Sequence, residues 1–108
     1  AVSGRTCPPD NAWAYHPAKA AGHHLTSNLA KGLASDHITV NAIAPGLFPS
    51  RMTAFMLNEG DDAGVAGMIP LQRAGRASDI LGTTLYLASR AGAFTTGALI
   101  VVDGGYSL

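Results

Sequence analysis

The chain has 108 residues, a formal net charge of zero, and 47% hydrophobic against 13% charged residues. This length is typical of one domain or part of one, and the composition favours a buried core over a disordered chain. The lack of a basic cluster argues against binding to nucleic acid or an anionic membrane, and no apolar run reaches the ~18 residues that span a bilayer.

Cys7 is the single cysteine, so no internal disulfide can form and a reducing compartment is the simpler expectation. The sequence opens without a recognisable secretory leader and contains no Asn-x-Ser/Thr acceptor for glycosylation. These features predict a soluble, cytoplasmic protein.

Residues 1–14 predict the end of a strand and then a loop. Ala1-Val2-Ser3 has the character of a strand's last residues, and the pair Pro8-Pro9 excludes both helix and sheet hydrogen bonding. Asp10 or Asn11 can cap the helix that follows.

An amphipathic helix comes next, because apolar residues recur at steps of three and four. Its apolar stripe consists of Ala18, Gly22, Leu25, Leu29 and Leu33. Pro17 is compatible with the first turn, where its missing N–H would have no helical partner. Ser35-Asp36-His37 is predicted to end the helix.

The β-branched run Ile38–Ile43 predicts a strand that a turn at Ala44-Pro45-Gly46 stops. From Leu47 to Ile69 the sequence is irregular, with an exposed acidic segment at Asn58–Asp62. A loop of this length is more often a lid or a binding segment than a passive connection, so residues 52–69 are expected to cover a substrate.

A second helix is predicted from Ser78 to Ser89, with Ser78 as its cap and Gly92 just beyond its end. The nearly continuous apolar run Ala98–Val102 predicts a strand buried on both faces, after which Asp103-Gly104-Gly105 turns the chain away. The order helix, strand, helix, strand predicts an α/β fold with parallel strands and right-handed crossovers. So few strands do not complete such a sheet, which indicates the back half of a larger domain.

Tyr15 and Lys19 stand four residues apart, so on a helix they share one face. A neighbouring ammonium favours the phenolate, which predicts that Tyr15 is a general acid/base tuned by Lys19. Taken alone, the spacing favours an amphipathic helix that carries a partly buried ring and a snorkelling lysine.

Five short motifs occur in order along nearly the whole chain. They are Tyr15-x-x-x-Lys19, Val40-Asn41-x-x-x-Pro45-Gly46, Pro70-Leu71 with Arg73, Thr96-Gly97, and Asp103-Gly104-Gly105. Together they resemble the C-terminal half of the short-chain dehydrogenase/reductase family. The segment from Pro45 to Thr53 is most similar to the family's β-ketoacyl reductase-like branch, which includes the rhamnolipid-pathway reductase.

The resemblance implies the C-terminal part of a doubly wound, Rossmann-type domain, and an NAD(P)-dependent oxidoreductase that interconverts a small-molecule carbonyl and an alcohol. Tyr15 would be the proton donor and Lys19 would also bind the nicotinamide ribose. Ser3, twelve residues before Tyr15, would hold the substrate carbonyl. The alternative for Ser3 is a loop serine bonded to its own backbone.

The resemblance also implies that the turn at Pro45 and Gly46 receives the nicotinamide. The backbone of Phe48 would contact its carboxamide, and the Ser50 hydroxyl would contact the cofactor. Without the family, an ordinary turn would be the simpler interpretation of Pro45-Gly46. Asn41 is expected to secure neighbouring backbone rather than to perform chemistry.

The chain departs from the family in one large respect, because the glycine-rich phosphate loop Gly-x-x-x-Gly-x-Gly occurs nowhere in it. Residues 1–108 are therefore predicted to be the C-terminal half of one dehydrogenase domain, and nothing in them chooses between NADP and NAD. The alternative is a catalytically incomplete, oligomerising module, since the first helix resembles the family's subunit-interface helix; either case predicts a homo-oligomer, a dimer or tetramer. No metal site is expected, because the four histidines form no His-x-x-x-His pair.

Overall fold

The computed structural model describes residues 14–51 and 62–108. Its regular elements, in chain order, are helix α1 (Tyr15–Leu33), strand β1 (Ala42–Pro45), helix α2 (Ala77–Ala88) and strand β2 (Leu99–Val102), with 3₁₀ turns at Ala34–Asp36 and Arg90–Gly92. The two strands are parallel, with Ala42 opposite Leu99 and Pro45 opposite Val102. The predicted α/β class with parallel strands is therefore confirmed.

Helix α1 begins at Tyr15, with Ala14 as N-cap and no side-chain cap hydrogen bond. The predicted caps Asp10 and Asn11 lie outside the described residues, as does the predicted strand end before them. Pro17 occupies the first turn, where its missing N–H leaves no helical hydrogen bond unmade.

The face that α1 turns toward the rest of the described chain differs from its apolar stripe. The more covered residues are His16, His23, Thr26, Ala30 and Leu33. Leu25 and Leu29 of the stripe are 56% and 43% exposed. Most of the stripe is therefore open to solvent or to a further surface.

Just before β1, side chains of Asn41 and Thr96 make part of the hydrogen bonding between the two strand segments, beside a backbone bond from the Gly97 N–H to the Val40 carbonyl at 2.7 Å. The Asn41 side-chain amide donates to the Thr95 carbonyl at 2.9 Å, and its oxygen accepts the Ala98 N–H at 3.0 Å. The Val40 N–H donates to the Thr96 hydroxyl at 3.1 Å. The expectation that Asn41 secures neighbouring backbone is confirmed.

These side-chain bonds explain why the first strand differs from the predicted Ile38–Ile43. It begins at Ala42, after the side-chain bonds end, and it continues through Pro45 instead of stopping before it. Strand β2 matches its predicted apolar run closely, but its four residues are half-buried rather than buried on both faces. The described sheet has two strands, which leave much of its surface uncovered.

The start of α2 shows that the predicted cap Ser78 is wrong. The helix begins at Ala77 with Arg76 as N-cap. The reason is Asp79, whose carboxylate accepts the Arg76 N–H at 2.8 Å and so satisfies a donor that precedes the first turn.

The prediction for Gly92 is also wrong. Helix α2 ends at Ala88 with an extended Ser89 as C-cap, and Gly92 lies in the following 3₁₀ turn. A Cβ on Gly92 would lie 2.5 Å from the Tyr86 carbonyl oxygen. Glycine is needed at this position for a close approach of backbone rather than for a helix end.

The described part of the predicted lid contributes to the core. Val65, Ile69 and Ala74 form a buried cluster, and Leu47 packs against it. Within residues 62–69, Val65 and Ile69 are buried and so contribute to the core, whereas Met68 is 45% exposed. That residues 52–69 cover a substrate stays a prediction. Residues 52–61 lie outside the described ranges.

Asp62 is half-buried, unlike the exposed acidic segment predicted at Asn58–Asp62. Its carboxylate accepts the Ala74 N–H at 3.1 Å and pairs with Arg76 at 3.3 Å. Asp62 therefore ties this segment to the start of α2. Within residues 14–51 and 62–108, no helix is long and apolar enough to cross a membrane.

Candidate active site

The first turn of α1 holds Tyr15 and Lys19 side by side. The Lys19 Nζ lies over the Tyr15 ring, 5.3 Å from its centroid, which is within the range of a cation–π contact. The His16 ring meets the Tyr15 ring edge-on, with centroids 5.5 Å apart. The contact between Lys19 and Tyr15 confirms the predicted shared face. Tyr15 is 40% exposed, so its ring is accessible from solvent.

A tight turn follows β1 at the carboxyl edge of the sheet. The Gly46 N–H donates to the Val102 carbonyl at 2.9 Å. A Cβ on Gly46 would lie 2.5 Å from the Cβ of Asp103, so a residue with a side chain cannot take this position without movement. Open α/β sheets bind ligands at this edge.

Phe48 continues this turn and lies against a second glycine. A Cβ on Gly75 would come within 2.3 Å of the Phe48 ring, so the ring lies directly on the Gly75 backbone. The Gly75 N–H also donates to the Leu47 carbonyl at 2.9 Å. Ser50, two residues further along, is exposed.

A pocket of about 480 Å³ opens beside this turn. It is lined by Leu47, Phe48, Pro70, Leu71, Arg73, Gly75, Asp79, Val101, Val102, Asp103, Gly104, Gly105 and Leu108. Of the described candidate residues, Phe48 lines it, whereas Tyr15 and Lys19 do not. The structure thus places the described candidate residues in two groups, one on α1 and one at the sheet edge. Ser3 lies outside the described residues.

The pocket wall contains a charged pair that no sequence motif predicts. Arg73 binds both carboxylate oxygens of Asp79, at 2.8 and 2.9 Å. These bonds, followed by the bond from the Arg76 N–H, lower the pKa of Asp79 to about 2. Arg73 and Asp79 are six residues apart, which is not a spacing at which side chains of one helix or strand meet. The pair is therefore visible only in the folded chain.

Asp103 organises the other wall of the pocket. Its carboxylate oxygens accept the Gly105 N–H at 2.8 Å and the Ser107 N–H at 2.9 Å. The Leu71 N–H donates to the Gly104 carbonyl at 3.1 Å, which joins this turn to the opposite wall. An Asp followed by two glycines is a recognisable turn signal, but its contact with Gly46 depends on the tertiary fold.

Among the residues that the structure describes, no group of three or more His, Cys, Asp or Glu side chains could hold a metal ion.

Two comparisons of sequence match nearly the full chain. The family model described as enoyl-(acyl carrier protein) reductase matches residues 1–107. The rhamnolipids biosynthesis 3-oxoacyl-(acyl-carrier-protein) reductase of Pseudomonas aeruginosa is 45% identical over 112 residues, covering 99% of this chain and 42% of that protein.

Solved structures also match nearly the full chain. The Pseudomonas aeruginosa RhlG/NADP active-site complex is 42% identical with a TM-score of 0.86, over 100% of this chain and 44% of that one. A 4-hydroxyisoleucine dehydrogenase complexed with NADH and succinate is 33% identical with a TM-score of 0.83, over 99% of this chain and 43% of that one. The chain spans less than half the length of each of these relatives.

Proposed function

This chain belongs to the short-chain dehydrogenase/reductase family, and we propose that it forms the C-terminal half of an NAD(P)-dependent oxidoreductase domain. The proposed reaction interconverts a small-molecule carbonyl and an alcohol by hydride transfer. The observation that carries the proposal is the exposed Tyr15 ring beneath the Lys19 ammonium, on the first turn of α1.

Tyr15 donates a proton to the carbonyl oxygen in the reducing direction and removes it in the oxidising direction. A side chain in this role contributes roughly 100- to 10,000-fold to the rate when it is correctly placed. Lys19 places its ammonium over the Tyr15 ring and also binds the nicotinamide ribose. Ser3 donates a hydrogen bond to the same carbonyl oxygen, where negative charge develops.

The turn of Pro45, Gly46, Phe48 and Ser50 holds the nicotinamide. The bound nicotinamide supplies or accepts the hydride, and the chain's own residues orient it. Backbone groups of Phe48 bind the carboxamide and the Ser50 hydroxyl contacts the cofactor. The position of Gly46 at the carboxyl edge of two parallel strands supports this assignment.

The relatives indicate a substrate class and a cofactor for the proposal. One relative is named for a 3-oxoacyl substrate, and two matched structures are complexes with NADP and with NADH. We propose a carbonyl substrate and either NADP or NAD as the cofactor of the domain to which this chain contributes. The single cysteine, Cys7, supports a cytoplasmic location.

A second candidate function is a non-catalytic module that assembles with copies of itself. The exposed Leu25 and Leu29 on α1 favour it, because an apolar helix face of this kind is suited to a subunit contact. A homo-oligomer, a dimer or tetramer, is compatible with both candidate functions.

The experiment that separates them uses the chain alone and a chimera. In the chimera, residues 1–108 replace the aligned segment of the Pseudomonas aeruginosa reductase, and that reductase without the segment is the control. Loss of NADPH absorbance with a 3-oxoacyl substrate in the chimera, and none in the control, supports the oxidoreductase. A folded chimera that leaves NADPH unchanged, together with a single oligomer of the chain by light scattering, supports the module instead.

A further inference from the structure

Arg73 belongs to a sequence motif to which the proposed function gives no task. It lies in the pocket wall and binds both carboxylate oxygens of Asp79, at 2.8 and 2.9 Å. The Arg73 and Asp79 side chains are 32% and 27% exposed, so the pair is partly shielded from water. A bidentate pair of this kind holds the guanidinium in a more defined place than a single contact at the surface does.

The same guanidinium also binds a backbone carbonyl. Its Nη1 donates to the Ala74 carbonyl at 3.0 Å, in addition to the Asp79 carboxylate. The Ala74 carbonyl and the Gly75 N–H belong to one peptide group, which is planar and rigid. Arg73 therefore helps to set the direction in which the Gly75 N–H points.

The Gly75 N–H connects this peptide group to the turn after β1. It donates to the Leu47 carbonyl at 2.9 Å. The Leu47 carbonyl and the Phe48 N–H again belong to one planar peptide group, and no described peptide bond is cis. The Phe48 N–H consequently points away from Gly75, and the hydrogen bond to Leu47 helps to fix its direction without any contribution from the Phe48 ring.

The charge of Arg73 acts along the same series of bonds. A hydrogen bond from a guanidinium to a carbonyl is charge-assisted, and hydrogen bonds joined through peptide groups polarise one another. The guanidinium on the Ala74 carbonyl therefore makes the Gly75 N–H a stronger donor. The bond from Gly75 to the Leu47 carbonyl does the same for the Phe48 N–H.

We propose that Arg73 is a positioning residue for the nicotinamide, because through two peptide groups it orients and polarises the Phe48 N–H. The inference rests on the proposed function, in which the Phe48 backbone binds the carboxamide. Arg73 acts through Phe48, and Asp79 holds Arg73 in place. Phe48 and Ser50 each have a further interaction, so loss of Arg73 should weaken nicotinamide binding without releasing the turn.

The test uses the full 108-residue chain labelled with ¹⁵N. The probe is nicotinamide mononucleotide at roughly millimolar concentration, where weak complexes are populated. Arg73→Met removes the guanidinium and keeps an unbranched apolar side chain. The Gly75 and Phe48 amide proton signals of the free variant should move upfield, because their hydrogen bonding is weaker. The Kd for the probe should rise roughly tenfold, as expected for loss of a charge-assisted bond.

Arg90→Met is the matched control, because it makes the same chemical change at an exposed residue of the 3₁₀ turn after α2. It should leave both amide signals and the Kd unchanged. Equal effects of Arg73→Met and Arg90→Met would overturn the proposal.

Arg73→Lys separates the geometry of the guanidinium from its charge. A lysine ammonium lacks the planar fork that binds two carboxylate oxygens and a carbonyl together. The two amide signals and the Kd should therefore lie between those of the original chain and those of Arg73→Met. If Arg73→Met does not fold, Arg73→Lys is compared with the original chain alone, and original signals and affinity in the lysine variant overturn the proposal.

Failure of the inference is distinguishable from failure of the proposed function. If the original chain binds the probe and Arg73→Met keeps its signals and affinity, the role of Arg73 alone is wrong. If the signals of the original chain do not respond to the probe, the proposed nicotinamide site is contradicted and the positioning role with it.

Discussion

At the scale of single residues, the contact between Lys19 and Tyr15 decides what the start of α1 can do. The ammonium lies over the ring face at 5.3 Å, so its charge acts on the whole phenol rather than through one bond. The proposed role of this accessible phenol is to exchange a proton with a substrate oxygen.

Replacement of the lysine tests its two proposed tasks together. In the chimera, Lys19→Gln should lower kcat and raise KM for NADPH, because both the charge beside the phenol and the ribose contact are removed. Steady-state kinetics measures both constants. Lys31→Gln, in the last turn of the same helix, is the control and should leave both unchanged. A normal kcat for Lys19→Gln would show that Tyr15 needs no cation.

The residue contacts at the sheet edge predict a difference between two glycines. Gly46→Ala should lower the free energy of unfolding by about 1–3 kcal/mol, because the new methyl overlaps Asp103. Gly82→Ala, inside α2 with open space around it, should raise that free energy by about 0.5–1 kcal/mol. Urea unfolding of both variants measures the difference, and equal stabilities would contradict the close approach at Gly46.

At the scale of elements, local sequence patterns predicted those helices and strands whose limits depend on nearby residues. The spacing of apolar residues and the turn at Ser35-Asp36-His37 located α1 well, and the apolar run located β2. The start of β1 was displaced because Asn41 bonds to residues more than fifty positions along the chain. No local pattern contains such a partner.

The start of α2 was misplaced for a related reason. A capping serine is the usual signal, but Asp79 performs the equivalent task from inside the first turn. Arg73 forms a salt bridge with the same carboxylate. Its pairing with Asp79 joins the helix end to the pocket wall.

This ionic arrangement predicts how stability depends on pH. The pKa of Asp79 is about 2 in the folded chain and about 3.9 when unfolded, so its contribution is present above pH ~4 and is lost as the pH falls toward 2. Asp79→Asn should remove part of the acid-induced loss of stability in that range. Thermal unfolding between pH 2 and 5 is the measurement. Asp36→Asn, in the turn after α1, serves as the control, and an identical effect of both changes would contradict the assignment.

At the scale of the whole molecule, the described chain leaves large apolar side chains uncovered. Leu25 and Leu29 on α1 and Leu81 and Leu85 on α2 are all 43–59% exposed. The motif order identified the family, and with it the α/β architecture. The sequence could not show which apolar residues stay uncovered. Periodicity locates the apolar face of a helix but does not show which surface packs against it.

The exposed stripe of α1 predicts self-association. Leu25→Glu should shift the chain toward smaller species, because a carboxylate in an apolar contact is costly to desolvate. Ser27→Glu, exposed on another side of the same helix, is the control and should leave the distribution unchanged. Light scattering over a range of concentrations reports the mass. Equal masses for both variants would exclude this face of α1 as the contact.

The most direct measurement of the central claim is the rate of NADPH oxidation by the chimera with a 3-oxoacyl substrate, in Tyr15→Phe and in Tyr106→Phe. The two rings are 40% and 41% exposed, so the variants differ in position rather than in accessibility. Tyr15→Phe should be slower by roughly 100- to 10,000-fold, and Tyr106→Phe should keep the original rate. Equal rates for the two variants would contradict proton transfer by Tyr15.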